Sequence, residues 1–277
     1  MIAYGNLAGV ELGKTYPVRI LGVINVSPES FYPGSVPQGA ADLRDRAERM
    51  AAEGADLLDI GAMSTAPYKH TAIPEEEEAG RLVAAIQAVR SVVSLPISAD
   101  TSRASVAQAA LDAGARVIND VSGLRGDPGM GELAAKRAEG LIVMASPRGH
   151  ETPEPVETVR RLLSDSLRMT WKAGIPAHRI VIDPGIGFFR NTGLPWDVWD
   201  CEVLRRLEEL GDLGQPVAVG VSRKSFLGKL LGKEKAEDRL AGSLAATVVA
   251  VLRGAHLIRT HDVAATRDAI RVAEALA

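Results

Sequence analysis

Residues able to act on a small molecule recur along this 277-residue chain at one kind of place, the end of a short β-branched run. Asn25 follows Val18–Ile24, Asp59 stands near the end of Leu57–Ile60, Asp100 follows Ile97–Ala99, and Asn119 and Asp120 follow Val117–Ile118. Ser146 and Arg148 come after Leu141–Met144, and Asp183 comes after Ile180–Ile182. The segment Ser222-Arg223-Lys224-Ser225 comes after Val217–Val219, and Arg259 with His261 after His256–Ile258. The set divides chemically. Asp100, Asn119 and Asp183 offer acceptors and an amide, which suits a flat heterocycle whose edge carries several N–H donors and a carbonyl. Lys224, Arg259 and His261 gather positive charge, which suits phosphate. Asn25, close to that cluster, is a candidate oxygen ligand for Mg²⁺ bridging phosphate oxygens. Turn or helix capping is the alternative for Asp100 and Asp183, because Thr101-Ser102 and Pro184-Gly185 are turn material. A surface ion pair is the alternative for Lys224 or Arg259. Zinc-type spacing of His, Cys and carboxylates is absent, and so is a G-x-S-x-G nucleophile elbow.

The elements that must position these residues follow from the same pattern. Each β-branched run is followed by a longer Ala/Leu/Arg/Glu stretch with helical spacing, the signature of βα units on a parallel sheet. Eight such units in this length predict a single-domain (β/α)₈ TIM barrel over residues 1–277, since that fold typically takes about 250 residues. A doubly wound sheet is the competing architecture, but no G-x-G-x-x-G follows the first strand. In a barrel the eight strand ends converge on one face, where barrel enzymes place their chemistry. The Glu75–Glu78 run after Pro74 is expected to be acidic charge in a helix's first turn.

Composition narrows the class. Hydrophobic residues make up 46% and charged residues 24%, an ordinary globular balance, and the net charge of -3 argues against nucleic acid or an anionic membrane as a partner. One cysteine, Cys201, cannot form an internal disulfide, which points to a cytoplasmic protein. The longest apolar stretch, Leu240 to Leu252, is interrupted by Gly242 and Ser243 and is shorter than the roughly 20 residues that span a bilayer.

Several ordered segments resemble the signature motifs of the dihydropteroate synthase family. They are Gly22-Val23-Ile24-Asn25-Val26-Ser27-Pro28-Glu29-Ser30-Phe31, Ile118-Asn119-Asp120-Val121-Ser122-Gly123-Leu124, Asp183-Pro184-Gly185-Ile186-Gly187-Phe188 and Gly220-Val221-Ser222-Arg223-Lys224-Ser225-Phe226. Arg239 to Gly254 and Arg259-Thr260-His261 extend the resemblance, which runs from about Val18 to the C-terminus. It implies a (β/α)₈ barrel, usually a homodimer, that joins 6-hydroxymethyl-7,8-dihydropterin diphosphate to an arylamine and releases diphosphate. By that resemblance Asp100, Asn119 and Asp183 hold the pterin, and Lys224 reaches it from strand seven. Arg259, His261 and Asn25 hold the diphosphate, Asn25 through Mg²⁺. Asp100, Lys224 and Arg259 are the expected catalytic residues, with Thr65 and Ser225 completing the substrate contacts.

The departures concern the arylamine. After strand two the family usually reads Gly-Gly-Glu-Ser-Thr-Arg-Pro, whereas this chain has Gly61-Ala62-Met63-Ser64-Thr65-Ala66-Pro67-Tyr68, with Ala66 in place of the loop arginine. After strand five, Met144-Ala145-Ser146-Pro147-Arg148-Gly149 replaces Met-His-Met-Arg-Gly. The loop-one segment Ser27-Pro28-Glu29-Ser30-Phe31-Tyr32 and the Ser64-Thr65-Ala66-Pro67-Tyr68 loop look similar to the tetrahydromethanopterin branch of the family, whose acceptor is an aminobenzene carrying ribose 5-phosphate. That acceptor is therefore expected ahead of 4-aminobenzoate, with Lys69, His70 and Arg148 as candidate contacts to its phosphate. Two other readings compete, a methyl-pterin-dependent methyltransferase and a pterin-binding protein that has lost catalysis. The first needs no diphosphate clamp, so the Ser-Arg-Lys-Ser segment and Arg259/His261 count against it.

Overall fold

Side chains alternate between the two faces of a strand, so each strand of a closed barrel sends every second residue inward and the others toward the covering helices. The computed structural model describes residues 3–27, 36–64, 72–149 and 151–277. After an N-terminal hairpin, β1 (Tyr4–Leu7) and β2 (Val10–Gly13), the chain repeats strand and helix eight times. The first units are β3 (Arg19–Asn25) with α1 (Ala40–Glu53), β4 (Leu57–Gly61) with α2 (Glu75–Arg90), and β5 (Ile97–Asp100) with α3 (Ala104–Ala113). Next come β6 (Val117–Asp120) with α4 (Met130–Arg137), β7 (Gly140–Met144) with α5 (Pro155–Lys172), and β8 (Ile180–Asp183) with α6 (Trp196–Arg205). Two helices, α7 (Ser225–Leu231) and α8 (Leu240–Leu252), follow β9 (Ala218–Gly220), and α9 (Val263–Leu276) follows β10 (Leu257–Thr260).

The eight strands run in the order β8-β7-β6-β5-β4-β3-β10-β9, and each neighbouring pair is parallel. A bridge between Ile182 and Val217, with the Ile182 N–H donating to the Pro216 carbonyl at 3.0 Å, joins β8 to β9 and closes the barrel. The expected (β/α)₈ architecture is therefore present. Every strand run read from the sequence falls on one of these strands, with ends that differ by a residue or two. Outward residues such as Ile60, Ala99, Ile118 and Ile258 pack under the helices. Inward residues Leu21, Leu57, Val117, Ile142, Val181 and Leu257 form an apolar layer at the N-terminal end of the barrel. No helix among the described residues is long and apolar enough to cross a membrane.

Strands β1 and β2 have no counterpart in the sequence reading, which begins at Val18. They pair antiparallel around Ala8-Gly9, whose φ values of 55° and 97° match the two-residue turn that follows strand twist. Asn6 Oδ1 accepts the Gly9 N–H at 2.7 Å. Leu7 and Leu12 are fully buried against the inner apolar layer, so the hairpin plugs the bottom of the barrel. A Cβ on Gly140 would lie 2.5 Å from the Leu7 side chain, so that glycine makes room for the plug. Replacing Leu12 with Ala is expected to lower the unfolding free energy in urea by about 2–5 kcal/mol, as for other fully buried leucines. A loss below about 0.5 kcal/mol, the range of a surface change, would show that the hairpin does not seal the core.

Candidate active site

One step up each strand from the apolar layer, the inward positions turn polar. Asp59 lies two residues beyond Leu57, Asn119 beyond Val117, Asp183 beyond Val181 and Arg259 beyond Leu257. The parity that buries those apolar side chains thus aims these four groups into the barrel mouth. Asp100 pairs with Asn119 and Gly61 in register, and Asn25 pairs with Gly61. Asp120 and Thr260 have the opposite parity. Asp120 accepts the N–H groups of Ser122 and Leu124, both at 2.8 Å, and Thr260 meets Thr266 of α9 at 2.9 Å, so both serve the scaffold.

Arg259 is the hub of the mouth. Its Nε donates to Asp59 Oδ2 at 2.7 Å and its Nη2 to Asp100 Oδ2 at 2.8 Å, while Asn119 Nδ2 donates to the same Asp59 oxygen at 3.1 Å. The Asp59 side chain has no exposed surface and that of Asp100 only 8%. The second oxygens of both carboxylates are buried without a hydrogen bond. Two carboxylates therefore share one cation. Burial pushes the Asp100 carboxyl up to about 7, against the pull of Arg259 and with a further push from Asp59. Burial opposes the charge on Arg259, but Asp59 and Asp100 hold it above its ordinary pKa.

Helix capping does not account for Asp100, and surface pairing does not account for Arg259, whose partners are buried. Asp100 caps no helix, since the N-cap of α3 is Arg103 and has no side-chain cap bond. Asp183 does accept the Gly185 N–H at 2.7 Å, a turn role, but it also faces Lys224. Burial raises its carboxyl and Lys224 pulls it back. Lys224 stands at the N-cap of α7, donates to the Ile186 carbonyl, and lies 5.2 Å from the centre of the Phe188 ring. Burial draws its ammonium down to about 8, with Asp183 and Asp200 resisting. Gly187, at φ +86°, has no side chain where the Lys224 stem passes, since a Cβ there would come within 3.1 Å of Cδ.

The expected cationic role of His261 needs correction. Its Nδ1 lies 3.0 Å from Ser222 Oγ and its Nε2 lies 3.3 Å from the Asn25 amide nitrogen. Burial, then the charges of Arg259, Arg223, Arg46 and Lys224, push its pKa down to about 3, so at neutral pH it is a neutral hydrogen-bonding ring. Arg223 also turns away from the mouth, into a two-pronged pair with Asp262 at 2.9 and 2.7 Å. Ser225 Oγ accepts from Arg190 Nη2 at 2.7 Å, and that guanidinium lies 4.2 Å over the Trp196 ring. Arg148 pairs with Asp165 of α5 instead of facing the mouth. Thr65, Ala66, Lys69 and His70 lie outside the described residues.

Sequence reasoning noted Asp59 at a strand end but gave it no role, although its parity with Leu57 is the signal that it points inward. Arg190 and Arg46 carried no signal, because one sits in a loop and the other on a helix. The Glu75–Glu78 run does form the acidic first turn of α2, but Glu78 differs from the other three in its burial. Glu75, Glu76 and Glu77 are exposed, but Glu78 is buried, accepting from Thr101 Oγ1 at 2.7 Å and Arg103 Nη1 at 2.8 Å. The same Arg103 nitrogen reaches the Ile73 carbonyl at 2.8 Å, so the start of α2 is tied to the end of β5 beside Asp100.

Comparison with known proteins points to one family. The family model for pterin binding enzymes matches residues 21–261. Dihydropteroate synthase from Neisseria meningitidis is 38% identical over 277 residues, covering 96% of this chain and 95% of that protein. The Escherichia coli enzyme of the same name is 34% identical, covering 96% and 94%. A probable bifunctional folylpolyglutamate synthase/dihydropteroate synthase of Haloferax volcanii is 38% identical over 92% of this chain, which spans only 30% of that longer protein. Among solved structures, Xanthomonas albilineans dihydropteroate synthase with 4-aminobenzoic acid superposes with a TM-score of 0.87 at 38% identity, covering 100% of this chain and 98% of that one.

The shared guanidinium gives a pH signature. Because the folded-state pKa of Asp100 lies above its ordinary 3.8, its contribution to stability is present at low pH and is lost as pH rises through about 7. Asp100→Asn should therefore remain folded and lose less stability than the parent protein between pH 4 and 8 in urea titrations. Equal losses in the two proteins would show that Asp100 is ionised throughout.

Proposed function

The chain belongs to the pterin binding enzyme family, and on that premise we propose that it is a dihydropteroate synthase acting on 6-hydroxymethyl-7,8-dihydropterin diphosphate and 4-aminobenzoate. The observation that carries this reading is the barrel mouth itself, where the acceptors of Asp59, Asp100, Asn119 and Asp183 adjoin the cations Arg259 and Lys224. A pterin edge supplies the N–H donors that such acceptors need, and a diphosphate supplies the negative charge that the cations need.

Chemically, the bond from the pterin methylene carbon to oxygen breaks and the electron pair leaves with diphosphate. The positive charge left on the methylene spreads into the ring, where the carboxylate of Asp100 stabilises it, while Lys224 and Arg259 stabilise the departing anion. The uncharged arylamine nitrogen then forms the new bond to carbon and releases a proton to solvent. No enzyme nucleophile takes part. Arg259, bonded to Asp59 and Asp100, would stand between the ring and the diphosphate in this reading. His261 takes part as a hydrogen-bonding group, and Ser225 beside Arg190 borders the acceptor.

Asn25 fits Mg²⁺ as a neutral oxygen donor at the end of β3, with its amide nitrogen beside His261. Among the described residues no group of three or more His, Cys, Asp or Glu side chains forms a metal cage, so substrate oxygens and water would complete the shell. When bound, the ion would neutralise diphosphate charge. A homodimer belongs to the same proposal. Leu230, Leu231, Val249 and Leu252 leave an exposed apolar face on α7 and α8 of the kind that a second copy covers.

The acceptor changes from the ribosylated aminobenzene to 4-aminobenzoate because the similar proteins are dihydropteroate synthases and one solved neighbour is named with 4-aminobenzoic acid. Ala66, the ground for the other acceptor, is outside the described residues. Incubation with the pterin diphosphate, Mg²⁺ and each arylamine, followed by product mass, should give dihydropteroate. Lys224→Ala and Arg259→Ala should each cut turnover by about 10²-fold or more. Product from the ribosylated acceptor alone would return the chain to the methanopterin branch. Tight pterin diphosphate binding without product from either acceptor would mark a protein that only binds pterin.

A further inference from the structure

Behind the mouth, α6 brings a carboxylate to the far side of the Lys224 wall. Phe189 and Trp199 stack with ring centres 4.9 Å apart and fix the start of α6 against the loop after β8. Asp200, next to Trp199, has no exposed surface. Its Oδ1 accepts the Gly187 N–H at 2.8 Å, and its Oδ2 is buried without a hydrogen bond. On the other side of the same glycine, Lys224 donates to the Ile186 carbonyl, and a Cβ on Gly187 would meet Lys224 Cδ at 3.1 Å and Nζ at 3.7 Å. One glycine therefore separates the Asp200 carboxylate from the Lys224 side chain.

A neutral amide at position 200 would receive the Gly187 N–H equally well, and burying a carboxylate with one unpaired oxygen is costly. What the carboxylate adds is charge. We propose that Asp200 is a positioning residue whose charge, acting through Gly187, keeps the Lys224 ammonium protonated in the water-poor mouth. This rests on the reading above, in which Lys224 faces the reacting ligand. The groups that face Lys224 are Asp183 from β8, Asp200 from α6, Arg190 from the loop between them and Arg259 from β10. Those that face Asp200 are Lys224, Arg190 and, within α6, Asp197. Asp183 lies on the ligand side, where a bound ring would take up its hydrogen bonds, whereas Asp200 is walled off from the mouth. The directions of titration agree, because burial lowers Lys224 to about 8 with Asp200 among the groups resisting, and burial raises Asp200 to about 6. Asp200 is thus ionised above that pH, in the range where Lys224 begins to lose its proton.

The test is Asp200→Asn, which keeps the acceptor for Gly187 and removes the charge. Competitive acetylation with acetic anhydride across pH, read by mass spectrometry of the Lys224 peptide, reports the ionisation of this lysine without requiring turnover. The pH of half-reaction should fall by about 1 in the variant, the effect of removing one nearby opposite charge. The alkaline limb of the turnover profile should move down with it, and the two proteins should converge in rate below about pH 6, where Asp200 is itself protonated. If Asp200→Asn does not fold, Asp200→Ser removes the same charge and is read the same way. An unchanged half-reaction pH in a folded variant overturns the proposal. A shifted half-reaction pH with no turnover in either protein supports the proposal about Asp200 and overturns the assigned function instead.

Discussion

Two carboxylates stand inside the barrel around a single guanidinium, and the rest of the site is arranged around that imbalance. Asp59 and Asp100 come from adjacent parallel strands, and Arg259 reaches them from β10, on the far side of β3. Charges buried without partners are too costly to keep, so the register of β10, β3, β4 and β5 must hold for the cation to reach both acids. Gly61 lies beside Asp100 and Gly220 beside Arg259. Beneath them the hairpin and the apolar layer exclude water, which strengthens every interaction in the mouth. The unpaired oxygens of Asp59 and Asp100 are then unmet hydrogen-bonding capacity that a donor-rich ligand edge can satisfy.

The same arrangement separates binding from charge control. Asp100, Asn119 and Asp183 face the mouth, whereas Asp200 acts on Lys224 from behind Gly187 and Glu78 holds the Thr101-Arg103 turn. His261 and Ser222 form a neutral hydrogen-bonded pair beside Asn25. Among the described residues, positive charge at the mouth therefore resides in Arg259 and Lys224, with Arg190 and Arg46 nearby. A leaving anion would meet fixed cations whose protonation is set by the carboxylates around them.

Much of this was legible in the sequence because period-two alternation is local. The runs around Leu57, Val117, Val181 and Leu257 announce strands, and counting two residues onward finds Asp59, Asn119, Asp183 and Arg259. The hairpin was not legible, since Ala8-Gly9 is a weaker turn signal than Asn-Gly and the strands are short. The fate of charged side chains was hidden for another reason. Arg223 looks like part of the site in sequence and Glu78 like one more acid of a helix's first turn, and only tertiary contacts with Asp262 and Arg103 reveal their buried pairing. The neutrality of His261 likewise depends first on its burial and then on cations brought together from β10, the loop after β9, and α1. The acceptor loop after β4 could be compared with a family pattern, but its meaning depends on contacts that residue types alone do not specify.

The most direct measurement of the central claim is a crystal structure of the protein with 6-hydroxymethyl-7,8-dihydropterin diphosphate bound. The expected result is a ring edge within hydrogen-bond distance of Asp100, Asn119 and Asp183, with phosphate oxygens on the side of Arg259, Lys224 and His261. A ligand seated away from the strand ends, with Arg259 still closed on both Asp59 and Asp100, would contradict it.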